Sequence, residues 1–144
     1  MNRQYIIYTD GSCIKNPGPG GWAAIILYNN LKKTIVGSEI QTTNNRMELI
    51  AVIEAIKETQ DASSIKLFTD SKYVKDGITL WINKWKTNEW KTSNKKIVKN
   101  SDLWKELDFR CKKLNIEWKW VKAHSGQPLN EEVDGLAREQ AESI

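Results

Sequence analysis

Apolar residues in this chain first gather in short blocks and later fall into a helical rhythm. The run "QYIIYT" (4–9) reads as a buried strand, and "WAAIILYN" (22–29) as a second. Between them "NPGPGG" (16–21) concentrates Gly and Pro, a tight-turn signal. "NN" at 29–30 suits a hairpin turn, and "KKTIVGSEI" (32–40) predicts a third strand. Then the period changes. In "NNRMELIAVIEAIKE", Leu49, Val52, Ile53 and Ile56 recur at helical spacing, before "SIKLFT" (64–69) returns to strand.

Residues 71–88 read as helix in two pieces, with Gly77 as the break, and 88–100 as loop. "SDLWKELDFRCKKL" predicts a helix capped by Ser101. "NIEWKWVKA" predicts a last strand with Ile116, Trp118 and Trp120 on one face. After "HSGQP", Leu129, Val133, Leu136 and Ala137 outline a final amphipathic helix. This order predicts a mixed α/β sheet with packed helices, in one domain over 1–144. The helix 45–58 would cross from the third strand to a parallel fourth. If the first three strands form a meander, a right-handed crossover sets the fourth beside the first. Asp10 and Asp70 then leave the sheet at one edge, where open α/β sheets bind ligands.

Composition narrows the class. The chain has 144 residues, 40% hydrophobic and 28% charged, the balance of a soluble domain able to bury a core. No apolar run approaches the roughly 20 residues a membrane helix needs, and the start has too short an apolar core for a signal peptide. Cys13 and Cys111 match neither a metal spacing nor a disulfide framework. The expectation is a reduced, cytoplasmic protein. Six lysines and one acid between Trp81 and Lys99 give that segment +5, leaving −1 for the rest of a chain at +4. The same segment carries Trp81, Trp85 and Trp90.

The candidate chemistry is acidic. "YTD" (8–10) and "FTD" (68–70) both end a predicted strand on aromatic-Thr-Asp. Turn organisation is one reading of these aspartates. The other is a shared cation site at the sheet edge. Glu48 lies in the first turn of its helix, and also fits a capping box with Asn45 as N-cap. Asp134 borders the apolar stripe of the last helix and also fits a solvated surface acid. Clustered carboxylates repel unless a cation sits among them, and hard oxygen ligands suit Mg²⁺ or Mn²⁺ rather than zinc.

With the four acids in view, the chain resembles the bacterial type 1 ribonucleases H, the ribonuclease HI family. The resemblance rests on "YTDGSCIKNPGPGGW" (8–22), "TTNNRMEL" (42–49), "TDSKYV" (69–74), "WKT" with "KKIVKNSDLW" (90–104), and "VKAHSGQPLNEEVDGLA" (121–137). These come in the family's order and span residues 4 to about 140. The resemblance implies a ribonuclease H-like fold, a five-stranded mixed sheet flanked by helices on both faces. It implies endonucleolytic cleavage of the RNA strand of an RNA–DNA hybrid, leaving 5′-phosphate and 3′-hydroxyl ends. Two Mg²⁺ ions, with Mn²⁺ as a substitute, would be held by Asp10, Glu48, Asp70 and Asp134. Asp10 would bridge the ions, Asp134 would complete the water-activating side, and Glu48 and Asp70 would serve the leaving-group side. The family's mobile histidine falls on His124, the chain's single histidine. From position alone an incidental surface histidine remains open; the match of "KAHSG" to the family loop favours a proton-handling role.

The resemblance also implies how a hybrid is read. RNA-side contacts fall on Cys13 (through its backbone), Asn16, Asn44 and Asn45, with Glu48 near a 2′-hydroxyl; amides both donate and accept, as that hydroxyl does. The DNA phosphate pocket falls on Thr43, Arg46 and Asn100, with Lys86 nearby. The deoxyribose platform falls on Trp81 and Trp104. Trp85, Trp90 and the lysines correspond to a basic protrusion at about 81–100, the two tryptophans expected to pack it onto the body. The expectation is a monomer without a membrane partner, and without the separate N-terminal hybrid-binding module of some relatives. A non-catalytic hybrid-binding module and a DNA nuclease or resolvase are the rival readings.

Overall fold

The structure is a computed structural model that describes residues 2–123 and 126–144. Strands β1 (Gln4–Cys13), β2 (Gly18–Tyr28) and β3 (Leu31–Thr42) form an antiparallel meander. Helix α1 (Asn44–Lys57) crosses to β4 (Ser64–Thr69), which pairs parallel to β1. Then follow α2 (Lys72–Asp76), a π-helical turn (Gly77–Trp81), α3 (Ile82–Thr87), α4 (Ser101–Cys111), β5 (Ile116–Trp120) and α5 (Pro128–Glu142). β5 pairs parallel to β4, giving the sheet order β3-β2-β1-β4-β5.

Alternation along β1 divides the core between the two faces of the sheet. Tyr5 and Ile7 join Ala24, Ile26, Leu49, Val52, Leu67 and Leu107 on the face covered by α1 and α4. Tyr8 joins Ala23, Ile25, Val133 and Ala137 under α5. Helices therefore cover both faces. α1 buries Met47, Leu49, Ala51, Val52, Ile53, Ala55 and Ile56, more of its circumference than an ordinary amphipathic stripe. Among the described residues no helix is long and apolar enough to cross a membrane.

Several local expectations are corrected. α1 is capped by Thr43, whose Oγ1 accepts from the Arg46 N–H at 3.2 Å; Asn45 lies inside the helix, so Glu48 is not the end of an Asn45 capping box. Ser101 is likewise the first helical residue of α4, behind a left-handed Asn100 (φ 62°). Gly77 does not break the helix after β4. Backbone continues through it in a π turn, with the Ile82 N–H donating to the Gly77 carbonyl. A Cβ at Gly77 would collide with Cη2 of Trp104, so the missing side chain is what lets that indole in. β1 also runs beyond its apolar block: residues 10–13 stay paired to β2 after the β1–β4 ladder has ended.

Candidate functional site

The end of the β1–β4 ladder positions the acids. Its last pair is Thr9↔Thr69, so Asp10 and Asp70 emerge side by side. Asp10 stays fixed by pairing to Ala23 on β2. Asp70 lies in the turn into α2, whose side-chain hydrogen bonds come from its neighbours: the Ser71 N–H donates to Thr69 Oγ1 at 3.1 Å, and the Val74 N–H to Ser71 Oγ at 3.2 Å. Glu48 arrives from the first turn of α1. There β1 and α1 approach so closely that a Cβ on Gly11 would collide with the Met47–Glu48 backbone.

Asp10, Glu48 and Asp70 each bring a carboxylate oxygen within 4.8 Å of the others. Asp10 is only 3% exposed. Burial raises its carboxyl well above the ordinary range, and repulsion from Glu48, then Asp70, adds to the shift, with a further contribution from Asp134. Glu48 is raised too, first by burial and then by Asp70, against the opposing pull of its hydrogen bonds to Asp10 and the Gly11 N–H. Its Oε1 is buried without a hydrogen-bond partner among the described residues. Excess negative charge, hard oxygen donors and a stranded buried oxygen all fit a divalent cation. The trio could hold a metal ion.

Asp134 stands slightly apart. α5 turns Val133 and Ala137 into the core, and Asp134, beside Val133, is near enough to act on Asp10. It is ion-paired to Arg138 at 3.3 Å, one helical turn on. His124, assigned a proton-handling role from the sequence, lies outside the described residues.

Beside the acids, Asn16 Oδ1 accepts from the Asn44 N–H at 3.0 Å, tying the β1–β2 turn to the start of α1. Cys13 Sγ donates to the Thr42 carbonyl at 3.4 Å. Asn16, Pro17, Thr43, Asn45, Lys99 and Asn100 line a cavity of about 290 Å³. Arg46 borders Asn100 (Nη1 to Oδ1, 3.2 Å) and grips Asp102 through both terminal nitrogens, at 3.1 and 2.9 Å. A larger hollow of about 420 Å³ lies at the other end of the sheet, among Gln4, Ile6, Asn29 and Lys66, away from the carboxylates.

Two sequence-derived positions change here. Trp104 has no exposed surface: it is enclosed by Gly77, Tyr73 and Trp85, and its Nε1–H donates to Tyr73 Oη at 3.0 Å. It underlies the aromatic surface and does not form it, whereas Trp81 is half-buried. Lys86 pairs with Asp108 at 3.2 Å and does not line the cavity. Lys99 does. In sequence Lys99 is one of six lysines in the basic segment, and its place immediately before Asn100 is the signal that sets it apart.

A sequence profile of the RNase H family matches residues 2–142. The chain is 62% identical over 136 residues to "Ribonuclease H" of Wolbachia pipientis wMel, covering 94% of each. Among solved structures it resembles LC9-RNase H1, described as a type 1 RNase H with the type 2 active-site motif, with a TM-score of 0.89 and 30% identity over 99% of this chain and 74% of that one. It also shares the fold of LC11-RNase H1, solved in complex with an RNA/DNA hybrid, with a TM-score of 0.73 and 19% identity over 96% and 97% of the two chains.

Proposed function

The chain belongs to the ribonuclease H family and is a ribonuclease H enzyme, and from that premise we propose that it hydrolyses the RNA strand of RNA–DNA hybrids with Mg²⁺, leaving 5′-phosphate and 3′-hydroxyl ends. The observation that carries the reading is the trio of buried Asp10 with half-buried Glu48 and Asp70, beside a cavity lined by Lys99 and by hydrogen-bonding side chains.

Asp10, Glu48, Asp70 and Asp134 would hold two Mg²⁺ ions, with Mn²⁺ as a substitute, and divalent metal held there would supply Lewis-acid activation of the attacking water and charge compensation for the departing oxygen. The protein's part is positional. β1 and β4 fix two carboxylates at adjacent strand ends, and α1 supplies the third from a direction that Gly11 leaves open. A new water-oxygen bond to phosphorus forms as the P–O3′ bond breaks. The water gives up a proton and the 3′-oxygen gains one, and His124 serves that exchange.

Asn16, Asn44 and Asn45 are suited to reading 2′-hydroxyls on the strand being cut, together with the Cys13 backbone. The cavity takes a phosphate of the DNA strand. Lys99, Thr43 and Asn100 line it, and Arg46 lies at its border. Trp81, packed against Tyr73 and Trp85, which in turn rest on buried Trp104, offers apolar surface to deoxyribose, where a 2′-hydroxyl would lose its water partners. The enzyme acts in the cytoplasm as a monomer, through this single domain. Product ends test the chemistry: fragments from a Mg²⁺ digest should prime polymerase extension without phosphatase treatment. Fragments that require phosphatase first would contradict the proposed bond cleavage.

A further inference from the structure

Lys72 opens α2 and Lys75 follows three residues later, so the two side chains share a helix face. Both reach over the same ring. The Lys72 and Lys75 ammonium nitrogens lie 5.7 and 5.8 Å from the centroid of Trp120. Trp120 is the last residue of β5 and is 39% exposed. Its Nε1–H donates to the backbone carbonyl of Asp70 at 3.2 Å, fastening the indole to the residue whose carboxylate belongs to the acid cluster.

Among the described residues neither lysine has a carboxylate within ion-pair distance, while Lys32, Lys33, Lys57, Lys86 and Lys119 all do. The acid on β5, Glu117, is engaged by Lys119 at 3.3 Å. Two cations gathered over one indole gain cation–π attraction but repel each other, an arrangement that an anion would relieve. The sheet order gives that anion a direction. The 290 Å³ cavity lies beside the β1–β2 turn and the start of α1, the acids lie at the ends of β1 and β4, and Trp120 lies at the end of β5, beyond β4. The lysine pair and the cavity therefore flank the acids on opposite sides.

We infer that Lys72 and Lys75, held against Trp120, bind phosphates of the RNA strand next to the acid cluster, on the side away from the cavity. The inference rests on the hybrid-cleavage reading. The strand being cut has to cross Asp70, and Asp70 is the residue to which the pad is fastened. In this role Trp120 is a positioning residue and the two lysines are substrate contacts.

Steady-state cleavage of a labelled hybrid over a range of KCl concentrations tests this with Lys72→Gln/Lys75→Gln, Trp120→Leu and Trp120→Phe. For the double variant KM should rise about three- to tenfold, and the slope of log(kcat/KM) against log salt should flatten by about 1–2, the signature of one or two lost phosphate contacts. Its kcat and melting temperature should hold. Trp120→Leu should reproduce the KM and salt-slope shifts, and Trp120→Phe, which keeps an aromatic face but loses the N–H bond to Asp70, should show part of them; unchanged salt slopes in both would reduce Trp120 to packing. A double variant with wild-type KM and salt slope overturns the pad while leaving hybrid cleavage standing. A wild-type protein that cleaves no hybrid overturns both.

Discussion

Asp10 and Asp70 each lie one residue beyond Thr9↔Thr69, the last pair of the parallel β1–β4 ladder, and bring carboxylate oxygens within 4.8 Å of each other. Two acids fixed side by side at strand ends, with Glu48 against them, make a stability liability as well as a site.

The sign of that liability is fixed by the direction of the shifts. Asp10 and Glu48 are both raised in the folded state, first by burial and then by neighbouring carboxylates. Their contribution to stability is fully present below the ordinary carboxylate range and is lost as pH climbs through the raised values. In EDTA, Asp10→Asn should therefore melt higher than wild type by roughly 1–3 kcal/mol at neutral pH. That gap should narrow as pH falls to about 4–5, where the unfolded chain takes up the same protons that the folded acids already hold. Thermal melts at several pH values measure it. Added Mg²⁺ should stabilise wild type more than the variant, and a variant less stable than wild type in EDTA would contradict the repulsion.

Gly77 and Trp104 give a packing prediction. Gly77→Ala drives a methyl group into collision with Cη2 of the fully buried Trp104 indole. Urea unfolding should register a loss of about 1–3 kcal/mol or more.

Lys99 and Lys86 should separate in kinetics. Lys99 lines the cavity at Asn100, while Lys86 is held by Asp108. Lys99→Ala should raise the KM for hybrid about three- to tenfold and flatten its salt dependence by about 1, as expected for one lost phosphate contact. Lys86→Ala should change both less. The reverse ranking would return Lys86 to the pocket.

Cys111 should be chemically quiet in the native protein. Burial, assisted by Asp108, pushes its thiol up to about 12, so almost none is thiolate near neutral pH. Alkylation followed by peptide mass mapping should leave Cys111 unmodified until urea is added.

Much of this was legible in the sequence, and what was missed has physical reasons. Blocks of β-forming residues and the helical spacing of Leu49, Val52, Ile53 and Ile56 marked the sheet and α1, because burial patterns are local. The repeated aromatic-Thr-Asp ending marked the edge where Asp10 and Asp70 meet. Burial set by distant partners was not legible. Trp104 looked like a surface ring because nothing near it in sequence shows that Gly77 opens a slot for it. Lys86 looked available because Asp108 is 22 residues away. Thr43 and Asn45 both suit an N-cap by residue type, and backbone geometry, with Thr43 extended at φ −134°, decided between them.

We propose that the carboxylate cluster cuts the RNA strand of a hybrid, and only with metal. The most direct test is strand-resolved cleavage of a labelled RNA–DNA hybrid, with and without Mg²⁺, beside matched RNA and DNA duplexes. The hybrid's RNA strand alone should be cut, and EDTA or Asp10→Asn should abolish the cutting. Hybrid binding without cleavage in Mg²⁺ or Mn²⁺, or cleavage of plain DNA duplex, would contradict it.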